Sequence, residues 1–282
     1  MDVFAPWLRL AIMIVLLGSI MVVLAYMVDL SLAPSVEISS GIIVPTHIDF
    51  QNYVTMWQGT GLLEGLKNST IICGITAVAA IVVGGTAGYV LARLPFRGRS
   101  ALLSALLGFQ AVPILMAILP LFIVFVWVQS LIHVTITGTY GAVVVAYLTF
   151  SLPLVTWLVK SYVDNLPIEL EEAARLDGAG AFKVLFRIVL PIAAPAAVVA
   201  AVLAFLTGWG DLLVATILTG PSSQTVTVAL NAFLDVQETA TVVPQYGPLL
   251  AASVVSAFPV VVIFVLLQRF FVAGLAGGAT KA

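Results

Sequence analysis

The chain has 282 residues, of which 62% are hydrophobic and only 9% charged, and its mean hydropathy is +1.18. Soluble domains carry about 25% charged residues, so this is an integral membrane protein, and a soluble enzyme or a nucleic-acid binder is excluded. The net charge of −2 says less than the placement of the 11 Lys and Arg residues, because placement sets orientation in a membrane.

A span needs about 20 apolar residues. Leu8–Leu30 is the first such run. It is too long for the apolar core of a signal peptide and has no convincing small-x-small cleavage site, so it reads as a retained helix. Ser31–Leu66 is more polar and broken by Pro34, Gly41 and Pro45, a loop with a short helix expected around Phe50–Trp57. Asn68–Leu91 is the second span. Its Ala80, Gly84 and Gly88 recur every four residues and allow a neighbouring helix to approach closely. A basic turn follows, with Arg93, Arg97 and Arg99. Ala101 to Val159 holds no Asp, Glu, Lys or Arg and is too long for one helix. It divides into spans at about Ala101–Val124 and Gly138–Lys160, joined near Gln129–Thr137, with bends expected at Pro113, Pro120 and Pro153. A fifth span is expected at about Pro191–Leu213. A polar loop with Pro221, Asp235, Glu238 and Pro244 leads to a sixth at Pro248–Phe271, and Gly274–Ala282 is a small, Gly-rich tail.

With the N-terminus inside, Arg9, Arg93, Arg97, Arg99, Lys160, Arg175, Lys183, Arg187, Arg269 and Lys281 all face the cytoplasm, and only Lys67 lies outside. The expected fold is therefore all-α, with six transmembrane helices and both termini cytoplasmic, in a single transmembrane domain over 1–282.

Between the fourth and fifth spans lies a polar island, about 161–190, which holds Asp164, Glu169, Glu171, Glu172 and Asp177 with Arg175, Lys183 and Arg187. Such a segment belongs in water. It reads as a short helix, a turn and a second helix. Asn165 is placed to cap the first helix, Pro167 suits its first turn, and its acids oppose the positive end of the helix dipole. Glu171 and Arg175 are spaced for an i,i+4 ion pair. Leu166, Leu170 and Ala173, with Ala174 beside them, form an apolar stripe, and Gly178 can turn left-handed and end the helix.

The run Glu172-Ala-Ala-Arg-Leu-Asp-Gly-Ala179, then eight residues, then Ile188-Val-Leu-Pro191, resembles the cytoplasmic coupling loop of ATP-binding-cassette importer permeases. The resemblance continues in the Ser31–Pro34 and Asn52-Tyr53 outer loop, the Arg93–Arg99 turn and the tail Gln268–Lys281, which is similar to that of the maltose-type, carbohydrate-uptake branch. It implies that Glu172, Ala173, Ala174, Asp177, Gly178, Ala179, Ile188, Leu190 and Pro191 serve coupling to an ATPase. It also implies that Gly274, Leu275, Gly277, Gly278 and Lys281 of the tail (about 273–282) contact that ATPase, their glycines permitting an extended path. The implied partners are a homologous second permease subunit, an ATPase dimer carrying the ATP and Mg, an extracytoplasmic solute-binding protein and membrane lipid. The implied location is the cytoplasmic (inner) membrane of a prokaryote, as a multi-pass protein importing a sugar or related polyol. One position departs from the family pattern. Where members often carry Trp-Asn and then an acid, this chain has Trp209-Gly210-Asp211. Asp211 is either a pathway residue, as intramembrane acids commonly are, or a hydrated group near the outer interface.

Other classes fit less well. A secondary carrier would show internal repeats and midplane charges, and a membrane enzyme would cluster His, Cys, Asp or Glu near its spans. Neither pattern is present. The lone Cys73 excludes an intrachain disulfide, and His47 and His133 lie apart from any acid or cysteine cluster, so no catalytic residue, metal site or chain-bound cofactor is expected. Trp57, Trp127, Trp157 and Trp209 suit stacking on a sugar or, more commonly near span ends, interfacial anchoring, and Trp209 with Asp211 is a candidate pathway residue.

Overall fold

A computed structural model describes the backbone of residues 6–239 and 245–279. Glu238 lies in a stretch whose side chains are not described, as does Arg9, and Pro244 and Lys281 fall outside the described residues altogether. No β-strand occurs among the described residues. Among the described residues, five helices are long and apolar enough to cross a membrane, within Leu10–Ser31, Leu62–Arg93, Ile114–Ile132, Tyr140–Asp164 and Tyr246–Phe270. A sixth span is present if Phe182–Ile192 and Ala194–Trp209, bent by 82°, count as one.

The chain divides into two compact units, Met1–Leu63 with Ala229–Phe258, and Glu64–Val228 with Pro259–Ala282. In the first unit, α1 (Pro6–Ser31) carries exposed apolar side chains such as Ile14, Val15, Leu16 and Leu17, as suits lipid or a partner subunit. Short helices α2 (Ser35–Ser39) and α3 (Gln51–Gly59) follow. The buried Asn52 of α3 donates from Nδ2 to the carbonyls of Ser31 (3.0 Å) and Ala33 (2.8 Å), which ties the end of α1 to α3. In the loop between α2 and α3, Glu37 gathers three contacts. His47 Nδ1 lies 2.6 Å from Oε1, the Thr46 hydroxyl donates to Oε1 (2.7 Å), and the Thr46 amide donates to Oε2 (2.8 Å). These bonds, the one with His47 foremost, hold the Glu37 carboxyl down at about 2, against an ordinary 4.5.

The second unit is built on a tight helix pair. Helix α4 (Leu62–Ala80) passes through a π turn at Ile81–Gly85 into α5 (Thr86–Arg93). Gly84 and Gly88 press this span against α8 (Tyr140–Asp164). A Cβ at Gly84 would lie 2.8 Å from Val155 Cγ1, and one at Gly88 would lie 2.8 Å from the Thr156 carbonyl oxygen. Ala80, Tyr89, Val155, Val159 and Val163 pack into one apolar cluster with Ala200 and Ala204 of α12 (Ala194–Trp209). The four-residue glycine spacing therefore does serve close packing.

Three features differ from those expected. The third span is α7 (Ile114–Ile132), not Ala101–Val124, and α6 (Arg99–Phe109) is a separate short helix. Pro113 has no N–H to continue α6 and disfavours helical backbone at the residue before it, so the helix ends and restarts there. The turn after α7 begins at His133, whose φ of 55° is left-handed, rather than at Gln129. Gln129 instead accepts the amides of Ile136 (2.9 Å) and Thr137 (3.2 Å) through its side chain. The fifth span is also not one straight helix over Pro191–Leu213. It turns at Ala193, between Pro191 and Pro195, and breaks again after Trp209 before α13 (Leu213–Leu218). Helix α14 (Val226–Thr239) then leads to α15, which runs from Tyr246 to Ala279.

Candidate coupling site

The polar island folds as a helix, a left-handed turn and a second helix. Helix α9 (Glu169–Leu176) carries Glu169, Glu171 and Glu172 in its first turn, where its unpaired N–H groups favour negative charge. Its N-cap is Ile168, not Asn165. Asn165 instead ends α8 and donates from Nδ2 back to the Ser161 carbonyl (2.8 Å), because that carbonyl is one of the orphans left at the α8 terminus. At the other end Gly178 has φ +80°. Its N–H donates to the Arg175 carbonyl (3.0 Å), and the Ala179 N–H donates to the Ala174 carbonyl (3.0 Å), the paired closure of a Schellman turn. The left-handed, helix-ending turn expected of Gly178 is present.

The expected apolar stripe splits into two faces. Ala174 is buried against Tyr89, Val163 and Val184, and Leu166 and Ala179 pack beside them. Glu172, Ala173, Asp177 and Gly178 are exposed, as are Leu170 and, at 88%, Leu176. In the second limb, α10 (Ala181–Val184) runs into a π turn, Leu185–Val189, and then α11 (Leu190–Ile192). Pro191 has no N–H and its ring crowds the Arg187 carbonyl, so the ladder widens here. Ile188 and Leu190 pack on the core, whereas Phe182 (78% exposed) and Phe186 stack on each other outside, ring centroids 6.5 Å apart. The nine motif residues therefore divide between an outer surface (Glu172, Ala173, Asp177, Gly178 and Pro191) and an inner anchor (Ala174, Ala179, Ile188 and Leu190).

What fixes α9 from behind is a contact the sequence reading missed. Glu171 does not pair with Arg175 along its own helix. It is 3% exposed and accepts from Arg93 Nε through Oε1 (2.6 Å) and from Tyr89 OH through Oε2 (2.9 Å). Arg93 also donates from Nη2 to the Leu166 carbonyl (2.9 Å). Removing one partner of such a buried pair typically costs about 3–5 kcal/mol, because the other charge is left uncompensated. The available signal was the four-residue spacing of Tyr89 and Arg93, which puts both on one face at the end of their span, together with the three-residue spacing of Glu171 and Ala174.

The second candidate site lies at the end of α12. Trp209 is buried, stacked on Phe205 with centroids 5.1 Å apart, and packed with Cys73. It is a core residue. Asp211 is half-buried; its Oδ2 accepts from Tyr147 OH (3.1 Å) and from the Ala215 amide (3.0 Å), so it holds the start of α13. A Cβ at Gly208 would lie 2.6 Å from the Tyr147 ring, which explains a glycine there, while one at Gly210 would meet open space. In the tail, α15 continues through Ala279, so the backbone of Gly274, Leu275, Gly277 and Gly278 is helical where an extended path was expected.

Long apolar helices, two of them joined by a helix–turn–helix with a buried inner face and an exposed outer one, define a multi-span membrane protein. Residues 80–276 match the family described as binding-protein-dependent transport system inner membrane component, and the chain belongs to that family. It is 32% identical over 254 residues to the trehalose transport system permease protein SugB of Mycobacterium tuberculosis, covering 90% of this chain and 89% of that one. It is 30% identical to the maltose/maltodextrin transport system permease protein MalG of Yersinia pestis, covering 96% and 91%. Its fold is similar to a chain in the crystal structure of a bacterial ABC transporter involved in the import of the acidic polysaccharide alginate, with a TM-score of 0.73, 18% identity and coverage of 96% and 100%.

Proposed function

We propose that this chain forms half of the translocation pathway of an ATP-driven importer of a sugar or related polyol, paired with a homologous permease and served by an extracytoplasmic solute-binding protein. The observation that carries the reading is the outward face of the loop, with Glu172, Ala173 and Leu176 exposed on α9 and the stacked Phe182–Phe186 pair exposed on the limb that follows. An apolar patch rimmed by charge on a water-side loop is the mark of a protein-docking surface. A separate ATPase dimer docks there, binds the ATP and Mg, and does the hydrolysis; this chain is non-catalytic. No side chain caps the start of α9, which leaves the Glu172 carboxylate for the partner. The two termini and the α9 loop lie in the cytoplasm, in the inner membrane of a prokaryote, as the distribution of Lys and Arg supports. The tail from Gly274 to Lys281 contacts the ATPase as a second point of attachment.

The sugar class is supported by relatives named for trehalose and maltose. The test is to purify the chain with its co-assembling proteins and screen trehalose, maltose and related polyols for stimulation of ATP hydrolysis. Stimulation by one of them, with ATP-dependent uptake into liposomes, is expected. Robust uptake by this chain alone without ATP would contradict the reading.

A further inference from the structure

We propose that Arg93 and Glu171, steadied by Tyr89, form the joint that passes displacement of the α9 helix to the span Leu62–Arg93, and are thus positioning residues for transport. The inference deepens the coupling reading and rests on it. Covalently, α9 is held only at its two ends, by the turn from α8 and by the Gly178 turn into α10, and neither is covalently continuous with the second span. Arg93 is the last residue of that span. Its guanidinium grips α9 twice, through Glu171 in the first turn and through the Leu166 carbonyl just before the helix. Tyr89, one turn earlier on the same face, takes the other oxygen of Glu171. Both carboxylate oxygens are thereby fixed, so orientation as well as distance is set. One turn along α9, Ala174 packs in the same cluster as Tyr89 and closes the contact with apolar surface. At 10% and 3% side-chain exposure the pair is shielded from the water and salt that weaken surface pairs. Gly84 and Gly88 further lock the span to α8, from which α9 departs. A push on the outer face of α9 therefore meets a stiff lever, and Arg93 is where that lever reaches the second span. Lysine would keep the charge at this position but lose the planar fork that makes two directed bonds.

The experiment uses the full chain purified with its ATPase, in a Cys73→Ala background, with a spin label at Ile75 in the second span or a cysteine at Leu176 on α9. In the intact protein, bound ATPase should protect Leu176→Cys from a maleimide, and MgATP should change the line shape at Ile75. Arg93→Lys and Glu171→Gln should keep the protection while the MgATP response at Ile75 falls several-fold, and Tyr89→Phe should give a smaller loss. Should a charge variant fail to insert, Tyr89→Phe, which leaves the Arg93–Glu171 pair in place, carries the test. A full response at Ile75 in the inserted variants would overturn the joint while leaving docking intact. Equal labelling of Leu176→Cys with and without ATPase would overturn the coupling reading itself, and the joint with it.

Discussion

Gly88 lies so close to Thr156 that a Cβ there would stand 2.8 Å from the Thr156 carbonyl oxygen and 3.0 Å from the Lys160 nitrogen. Both obstacles are backbone, so the two helices must separate before any side chain can enter. Gly88→Val should therefore destabilise the chain by about 1–3 kcal/mol, the usual range for overpacking. Thermal melting of the solubilised protein should fall by several degrees, while Gly108→Ala, where a Cβ meets nothing within 4 Å, should melt like wild type. Equal melting of Gly88→Val and wild type would refute the packing role.

Asp211 holds the buried Tyr147 hydroxyl and the Ala215 amide. Asp211→Ala leaves both donors unpaired, at about 1–3 kcal/mol, whereas Tyr147→Phe removes a single bond at about 1 kcal/mol. Melting temperatures should rank wild type, then Tyr147→Phe, then Asp211→Ala. If Asp211→Ala melts normally but loses uptake, the carboxylate serves the pathway and not the fold.

Glu37 makes a pH prediction. Its folded pKa is depressed from 4.5 to about 2, so its stabilisation is complete above about 4.5 and is lost as pH falls through about 2. The Thr46 amide, which donates to Glu37, should exchange more slowly in wild type than in Glu37→Ala at pH 7 and still at pH 3. Protection that has vanished by pH 4 would contradict the clasp.

Orientation is tested by reporters. Fusions at Phe96, Gly180 and Ala282 should report cytoplasm, and those at Ser39 and Ser222 the outside. A reporter at Gly180 found outside would overturn both the charge argument and the docking assignment.

The spans were legible because each is a run of apolar residues, and Gly84, Gly88 and Gly178 were legible because a repeat or a turn demands glycine at fixed spacing. Breaks were harder to see. Pro113 stands between two helices where Pro120, in an equally apolar setting, lies inside one. The 82° turn at Ala193 was hidden in a continuous apolar stretch. Glu171 is one of three acids in the first turn of α9, and its bonds to Arg93, 78 residues earlier, and Tyr89 distinguish it. Composition cannot reveal such a pair, because its meaning lies in which helix ends meet.

The central claim is that the outer face of α9 docks an ATPase, and the most direct measurement compares Ala173→Trp and Gly178→Val with wild type. Ala173 is exposed, so tryptophan there can clash only with a partner. Gly178 has open space around its Cβ position but φ of +80°, so valine carries roughly 1–2 kcal/mol of backbone strain and re-aims the second limb. Both variants should insert normally, because insertion is driven by the apolar spans. Co-purification of the ATPase and solute-stimulated hydrolysis should drop sharply, and uptake with them. Normal docking, stimulation and uptake in both variants would show that the loop is a connector and contradict the account.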